Sequence, residues 1–173
     1  MRDARQDPLP DRPHMPGYGL PDPAAREGLL PWTWARDRLT AAHGYWIATA
    51  RPDGRPHLTT VWGVWHDDRL FFSTGRHSRK ARNLAADPRV SVGTDGTTDA
   101  VVVEGTAAPA GDLPDRATVI AAYAEKYGTG PPDGPDSPLY VVEPSVAFGF
   151  IDSELFADTA TRWRVLDDRR DRA

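Results

Sequence analysis

A small, closed or nearly closed antiparallel β-barrel with a few helices is the fold this sequence predicts. Three observations carry that prediction. Short apolar or alternating runs rich in Val, Ile, Thr, Trp and Phe recur at close spacing from Tyr45 to Leu166. Turn sequences such as PDGR (Pro52–Arg55) and Asp67–Asp68 separate them. Only three stretches carry helical spacing, and no internal repeat is present. At 173 residues the chain is long enough for one domain with a real core. The class is mainly β.

Residues 1–31 hold seven of the 17 prolines, many charges and no hydrophobic period, and read as an extended or disordered arm. Within it MPGYGL (Met15–Leu20) is less polar and could dock on the domain, and Met15 is an alternative start. The barrel domain is expected over 32–166. Trp32, Ala35, Leu39 and Ala42 form the stripe of a short amphipathic helix that Gly44 ends. Tyr45–Ala50 is an apolar strand, and PDGR turns it back with Gly54 in the left-handed region. Pro56–His66 then alternates: Leu58, Thr60, Trp62 and Val64 face one way, His57, Thr59, Val61 and Trp65 the other. Asp67–Asp68 turns the chain into a strand over Arg69–Thr74.

A helix is expected from an N-cap at Ser78 to about Ala86, burying Ala81, Leu84 and Ala85, with Asp87-Pro88 stopping it. Val90–Thr94 and Ala100–Ala107 make a hairpin across the polar turn Asp95–Asp99. Leu113–Tyr127 is a helix with Val119, Ala122, Tyr123 and Lys126 at helical spacing. Thr129–Pro138 is a Pro/Gly loop. Strands over Leu139–Glu143, Ser145–Ile151 and Thr159–Leu166 follow, and the charged tail 167–173 frays.

Composition excludes several classes. A net charge of −4 argues against a nucleic-acid partner, which calls for a basic stripe. The absence of cysteine removes disulfides, thiolate zinc sites and a cysteine nucleophile, and fits a cytoplasmic protein. No apolar run approaches membrane-spanning length, and the Pro- and Arg-rich start is not a signal peptide. Lys80 and Lys126 are the only lysines among many arginines. With abundant Ala, Asp, Pro and Gly, that bias has the look of a GC-rich genome.

The stretch Ser73–Leu84 (STGRHSRKARNL) carries the chemistry. The helix opens with Arg79, Lys80 and Arg82, and Arg76 and His77 precede it. Cations have the wrong sign for a helix N-terminus, where unpaired N–H groups and the macrodipole are already positive. Each misplaced exposed charge costs a few tenths to about 1 kcal/mol. A bound phosphate relieves this, so the segment reads as a phosphate clamp.

Other chemistry is poorly supported. The serines lack a G-x-S-x-G setting. His43, His57, His66 and His77 form neither H-x-x-x-H nor H-E-x-x-H, so no metal site is expected. No phosphate-binding glycine loop of the P-loop or dinucleotide type is present. Glu104 is expected to point to solvent. What remains beside the clamp is a hydroxyl-dotted apolar strand pair, Thr59-Thr60-Val61-Trp62 and Ser73-Thr74. Its backbone groups suit a flat polar heterocycle packed on Trp62 or Val61. Ring slot plus phosphate clamp suits a flavin-type cofactor, whose chemistry needs no protein nucleophile. The alternative is a solvated basic helix beside exposed threonines.

Two segments, ATARPDGRPHLTTVWGVW and LFFSTGRHSRKARNLAADPRVSV, resemble the pyridoxamine 5′-phosphate oxidase-like split-barrel superfamily of flavin and deazaflavin proteins. The phrase S-R-K-x-R-N-L-x-x-D-P-R-V is the most specific part, and Thr161–Val165 (TRWRV) is similar to the family's last strand. The resemblance implies an FMN-binding split barrel that is a homodimer, with cofactor in grooves at the subunit interface. It implies Ser78, Arg79, Lys80 and Asn83 as phosphate contacts, Thr60, Val61 and Trp62 lining the ring, and Ser73 and Thr74 along the ring and ribityl chain. The run Leu58–Gly63 has no lysine where pyridoxamine-phosphate oxidases resemble Arg-x-Val-x-Leu-Lys, which speaks against that substrate. The TTVWGVW and SRKARN wording is closer to the branch using the deazaflavin coenzyme F420. This implies coenzyme F420 first and FMN second, and a reductase passing hydride to a small electron-poor substrate. A proton could come from water, Tyr18, Tyr45 or His57. A non-catalytic flavin, deazaflavin or heme carrier of the same fold is the alternative.

Overall fold

The computed structural model describes residues 7–165. The expected tail 167–173, and Leu166 of the expected last strand, lie outside the described residues. The elements are β1 (Pro10–Asp11), α1 (Trp32–Ala41), β2 (Tyr45–Ala50), β3 (Pro56–Val61), β4 (Gly63–His66), β5 (Arg69–Ser73), α2 (Arg79–Ala86), β6 (Arg89–Thr94), β7 (Asp99–Pro109), α3 (Arg116–Tyr127), β8 (Leu139–Ile151), α4 (Phe156–Thr159) and β9 (Thr161–Arg164).

All pairings are antiparallel. The main ladder runs β1-β9-β8-β7-β6-β2-β3, while β5 pairs with both β4 and the first half of β8. Trp62 alone separates β3 from β4, so the path β2–β3/β4–β5–β8–β7–β6 returns to β2. That closes the barrel at its β4–β5 side and leaves it split along β3, whose only ladder partner among the described residues is β2.

Alternation decides which residues fill the barrel. Tyr45, Ile47 and Val61 point inward with Leu70, Phe72, Val92, Val101, Val103 and Val142. Trp32 and Leu39 of α1, Ala81 and Leu84 of α2 and Trp163 of β9 complete this core. A second cluster sits on the outer face of β4–β5–β8, where Val64, Phe71, Leu139 and Val141 are covered by Val119 and Tyr123 of α3. The two helices of the main core sit at opposite ends of β2: Tyr45 at its start donates to Leu39 O (2.5 Å), and Thr49 near its end accepts from Asn83 of α2 (2.9 Å).

Several expectations are corrected. The single strand expected over Pro56–His66 is two, broken at Trp62. The two strands expected over Leu139–Glu143 and Ser145–Ile151 are one, because Pro144 falls where the β7–β8 register shifts at Glu104/Gly105. A residue without an N–H is tolerated at such an irregularity. On α2, Ala85 is exposed and Asn83 is buried in its place. The four-residue α4 has no period to betray it. At the β4–β5 turn, Asp67 and Asp68 both take left-handed backbone angles, φ 49° and 54°, as a two-residue hairpin loop requires. Glu104 is exposed, as expected.

The arm packs on the barrel from residue 7 onward. Pro10 and Asp11 pair with Trp163 and Arg162, and Asp11 takes both ends of the Arg162 guanidinium (2.7 Å each). Arg12 is 5% exposed, and its guanidinium donates to the carbonyls of Glu27, Ala157, Asp158 and Ala160. These polar ties leave no hydrophobic period for a sequence reading to find. Arg69, 3% exposed, is a second buried cation; it is held by Asp67 (3.2 Å), Asp115 (3.1 Å) and Glu143 (3.6 Å).

A Cβ at Gly105 would lie 2.2 Å from the carbonyl oxygen of Glu143, a backbone atom that cannot step aside. Gly105→Ala is expected to cost about 1–3 kcal/mol in chemical denaturation. Gly96→Ala, with nothing within 4 Å, is the matched control and should leave the midpoint unchanged within about 0.5 kcal/mol.

Candidate functional site

The STGRHSRKARNL segment leaves β5 and enters α2. Ser78 N donates to Gly75 O (2.9 Å) and Arg76 N to Asp136 O (2.8 Å), which ties the turn to the 129–138 loop. Ser78 has extended backbone angles and its Oγ accepts from Ala81 N (3.2 Å), the N-cap geometry the sequence implies. Thr74 Oγ1, 3.1 Å from the same Oγ, braces it. No acidic residue occupies the first turn of α2. Arg79 and Lys80 stand there instead.

Arg51, Arg79 and Lys80 have no carboxylate partner among the described residues, whereas Arg36, Arg55, Arg89 and Arg116 each do. Burial holds the Lys80 ammonium below its ordinary pKa. The His57 imidazole is also held below its usual value, first by burial and then by Arg51, Lys80 and Arg79. Positive groups from the end of β2, from β3 and from α2 thus converge without compensation.

Beside this cluster runs the free edge of β3. Leu58, Thr60 and Trp62 are exposed on the outer face, 60% and 52% for Leu58 and Trp62, while Val61 turns inward and is buried. Alternation therefore divides Thr60-Val61-Trp62, and Val61 can meet a ligand only through its backbone. Trp62 is stacked on Tyr127 at the end of α3, with ring centroids 4.6 Å apart and planes 3° from parallel. Gly63 N donates to Tyr127 Oη (3.0 Å), Lys126 Nζ donates to Gly63 O (2.9 Å), and Tyr127 Oη donates to His43 O (2.5 Å). The end of α3 thus satisfies both backbone groups at the strand break.

The sequence-implied residues fall into two groups, with Asn83 and Ser73 each placed by itself. Thr74, Ser78, Arg79 and Lys80 come together at the helix start. Thr60 and Trp62 line the outer face of the β3 edge. Asn83, three and four residues on from Lys80 and Arg79, follows them by about one turn on neighbouring azimuths of α2, where it is fully buried against β2 with its amide donating to Thr49. The Ser73 hydroxyl donates to Pro132 O (2.5 Å), with Ser137 O at 3.2 Å, so it anchors the 129–138 loop. Of the expected proton sources, Tyr45 is buried with its phenol raised well above the ordinary value by burial, and Tyr18 is exposed in the arm against Phe156. Sequence reasoning passed over Arg51 and the Lys126–Tyr127 end of α3. The available signals were the PDGR turn beside Arg51 and the rarity of lysine.

The family description "pyridoxamine 5′-phosphate oxidase" matches residues 34–149, from α1 through most of β8. A pyridoxine/pyridoxamine 5′-phosphate oxidase of Alkalilimnicola ehrlichii is 36% identical over 89 residues, which is 50% of this chain and 41% of that one. One of Rubrobacter xylanophilus is 38% identical over 77 residues, 42% and 34% of the two chains. The chain thus spans less than half the length of these curated relatives. Among solved structures, a conserved hypothetical protein of Mycobacterium tuberculosis superposes with a TM-score of 0.62 at 22% identity, covering 72% of this chain and 87% of that one. An F420 reductase gives 0.52 at 24% identity (65% and 94%), and a heme-binding protein of Mycobacterium smegmatis 0.56 at 20% (69% and 54%). At such identities the likeness is one of fold. The barrel, its split along β3 and the family match over two-thirds of the chain agree: this chain belongs to the pyridoxamine 5′-phosphate oxidase family.

Proposed function

We propose that the chain is an oxidoreductase that binds coenzyme F420, or in second place FMN, at the interface of a homodimer. It transfers hydride to or from a small organic substrate, as a reductase in preference to an oxidase. The observation that carries this reading is the uncompensated cation cluster at the start of α2 next to the unpaired edge of β3. The first suits a phosphate, and the second suits the hydrogen-bonding rim of a flat heterocycle. The residues fit such a cofactor, since the buried, partnerless Nδ1 of His57 and Nε of Arg51 flank the same cluster.

In this reading Ser78, Arg79 and Lys80 hold the phosphate. Thr60, Val61 and Trp62 offer backbone groups along the free edge, and the Thr60 and Trp62 side chains form the wall beside it. Bound there, a deazaflavin or flavin supplies the hydride chemistry. The protein supplies position and a drier slot. Trp62, locked by Tyr127, shields one side. Thr74 braces the Ser78 cap, and Ser73 sets the 129–138 loop that borders a substrate. The absence of lysine from Leu58–Gly63 favours a substrate other than pyridoxamine phosphate, and the resemblance to the deazaflavin branch puts F420 ahead of FMN.

The dimer rests on the outer face. Trp46, Gly93, Val102 and Phe148 lie in one register row across β2, β6, β7 and β8, and Trp46 (44% exposed), Leu58 and Trp62 stand out from it. An apolar band of this extent suits a second copy of the chain.

Three outcomes test the reading. Fluorescence titration with F420 and FMN should give binding that Arg79→Ala/Lys80→Ala weakens at least tenfold, about 1.4 kcal/mol. Unchanged affinity places the phosphate elsewhere, and a Soret band on the purified protein favours the heme carrier. Sedimentation should show a dimer whose dissociation constant rises at least tenfold in Trp46→Glu/Leu58→Glu. A dimer indifferent to both changes uses another face.

The third is a stability trade-off. Lys80 is held below its ordinary pKa in the folded chain, so the unfolded chain binds more protons in the window between the folded value and 10.5. The penalty for burying this charge is fully present at neutral pH and fades as pH rises through that window. Lys80→Met should therefore stabilise the protein without cofactor at pH 7 while weakening anion binding. The gain over wild type should shrink as the pH is raised toward 10.5.

A further inference from the structure

His57 and Arg51 reach the start of α2 by strand geometry. In the antiparallel β2–β3 ladder Thr49 lies directly opposite His57, so their side chains share a face, and Arg51, two residues beyond Thr49, shares it too. That face meets α2, because Thr49 Oγ1 accepts from Asn83 Nδ2 at 2.9 Å. The PDGR turn holds Arg51 in place through Arg51 N to Arg55 O (2.9 Å) and Gly54 N to Arg51 O (2.8 Å). His57 Nδ1 and Arg51 Nε are both buried with no hydrogen-bond partner. An orphaned ring nitrogen and an orphaned guanidinium nitrogen beside two unpaired cations mark a place for an acceptor.

We propose that Arg51 and His57 complete the anion site at the start of α2, and that His57 couples anion binding to proton uptake. The inference rests on the reading of that helix start as a phosphate clamp. The charged groups around His57 are Arg51 from the end of β2 and Arg79 and Lys80 from α2. The nearest acidic residue of the turn, Asp53, is committed to Arg55 at 2.6 Å. Among the described residues no carboxylate offsets the three cations. Burial and these charges favour the neutral imidazole in the free protein. A phosphate mono- or diester lodged among them reverses the local field, and the imidazolium, a donor at both nitrogens, becomes the favoured form.

The sign follows. A ligand that raises the His57 pKa takes up a proton on binding. Its affinity is lowest above the bound-state pKa, rises as pH falls through it, and levels off below the free-state pKa. Raising that pKa by one corresponds to about a tenfold gain in affinity. The second ionisation of a phosphate monoester near pH 6 works in the opposite direction, so His57→Gln, which keeps a donor but cannot titrate, isolates the histidine's share.

The experiment is an NMR titration of the imidazoles of the full chain, with His57 assigned from His57→Gln, alone and with inorganic phosphate, FMN or F420. The expected result is a His57 midpoint raised by about one pH unit or more by the bound anion. Arg51→Ala should bind the same anions about tenfold more weakly and Arg51→Lys should recover most of the loss. His57→Gln should bind more weakly than wild type at pH 6 and equally at pH 8. A His57 midpoint unmoved by an anion that binds, or Arg51→Ala binding as tightly as wild type, overturns the inference while leaving the cofactor reading intact. If neither cofactor binds but inorganic phosphate still moves His57, the cofactor reading fails and the anion site stands. If none of the three anions binds, both fall.

Discussion

The passage of the chain through Gly63 is the constraint on which the rest of the molecule depends. There the strand that pairs with β2 must become the strand that pairs with β5, and no ladder can serve both. The exchange is possible because Tyr127 and Lys126 satisfy the N–H and C=O of Gly63. It also needs the missing side chain, since a Cβ would lie 2.7 Å from Phe71 O. One consequence is a closed core around Tyr45, Val61 and Phe72. The other is a β3 edge with no strand beside it among the described residues and a tryptophan stacked on Tyr127 at its end. A barrel that closed without this exchange would present no such edge.

The positive cluster at the other end of β3 follows a different logic. A protein under selection for stability alone would place Asp or Glu in the first turn of α2, and would pair Lys80 as it pairs Arg69. The contrast within one chain is informative. The buried guanidinium of Arg69 is surrounded by three carboxylates and serves the fold. The cations around Ser78 have none, and they border an open strand edge. Local rules of charge are broken at the start of α2 and kept at Arg69, the pattern expected when such a violation serves something other than stability.

Legibility in the sequence tracked the range of the interaction. The Ser78 cap, the PDGR and Asp-Asp turns and the two alternating faces of Pro56–His66 depend on neighbours within a few residues, and all were readable. The cation cluster at the start of α2 was readable for the same reason, as a run of charges at a helix start. Pro144 misled because the register shift that accommodates it is set by Gly105, some forty residues away. The burial of Asn83 in place of Ala85 was not legible, because only the packing of α2 on Thr49 covers a polar residue at that position. Arg51 and His57 become neighbours of Lys80 only once the β2–β3 register is known. The arm escaped because its ties, Arg12 to main-chain oxygen and Asp11 to Arg162, carry no hydrophobic period.

That last feature bears on how the chain can change over time. Arg12 is held entirely by main-chain carbonyls, and among its partners only the backbone of Glu27, Ala157, Asp158 and Ala160 is used. Apart from the fully buried Ala160, the side chains at those positions can change without removing these bonds, so long as the chain keeps its path. Gly28 is the exception, since a Cβ there would meet Asp158 O at 2.6 Å and its φ is +80°. The segment most easily dismissed as variable is thus a strap whose wording can vary around a few fixed letters, Arg12 and Gly28 together with the Asp11 that pairs with Arg162.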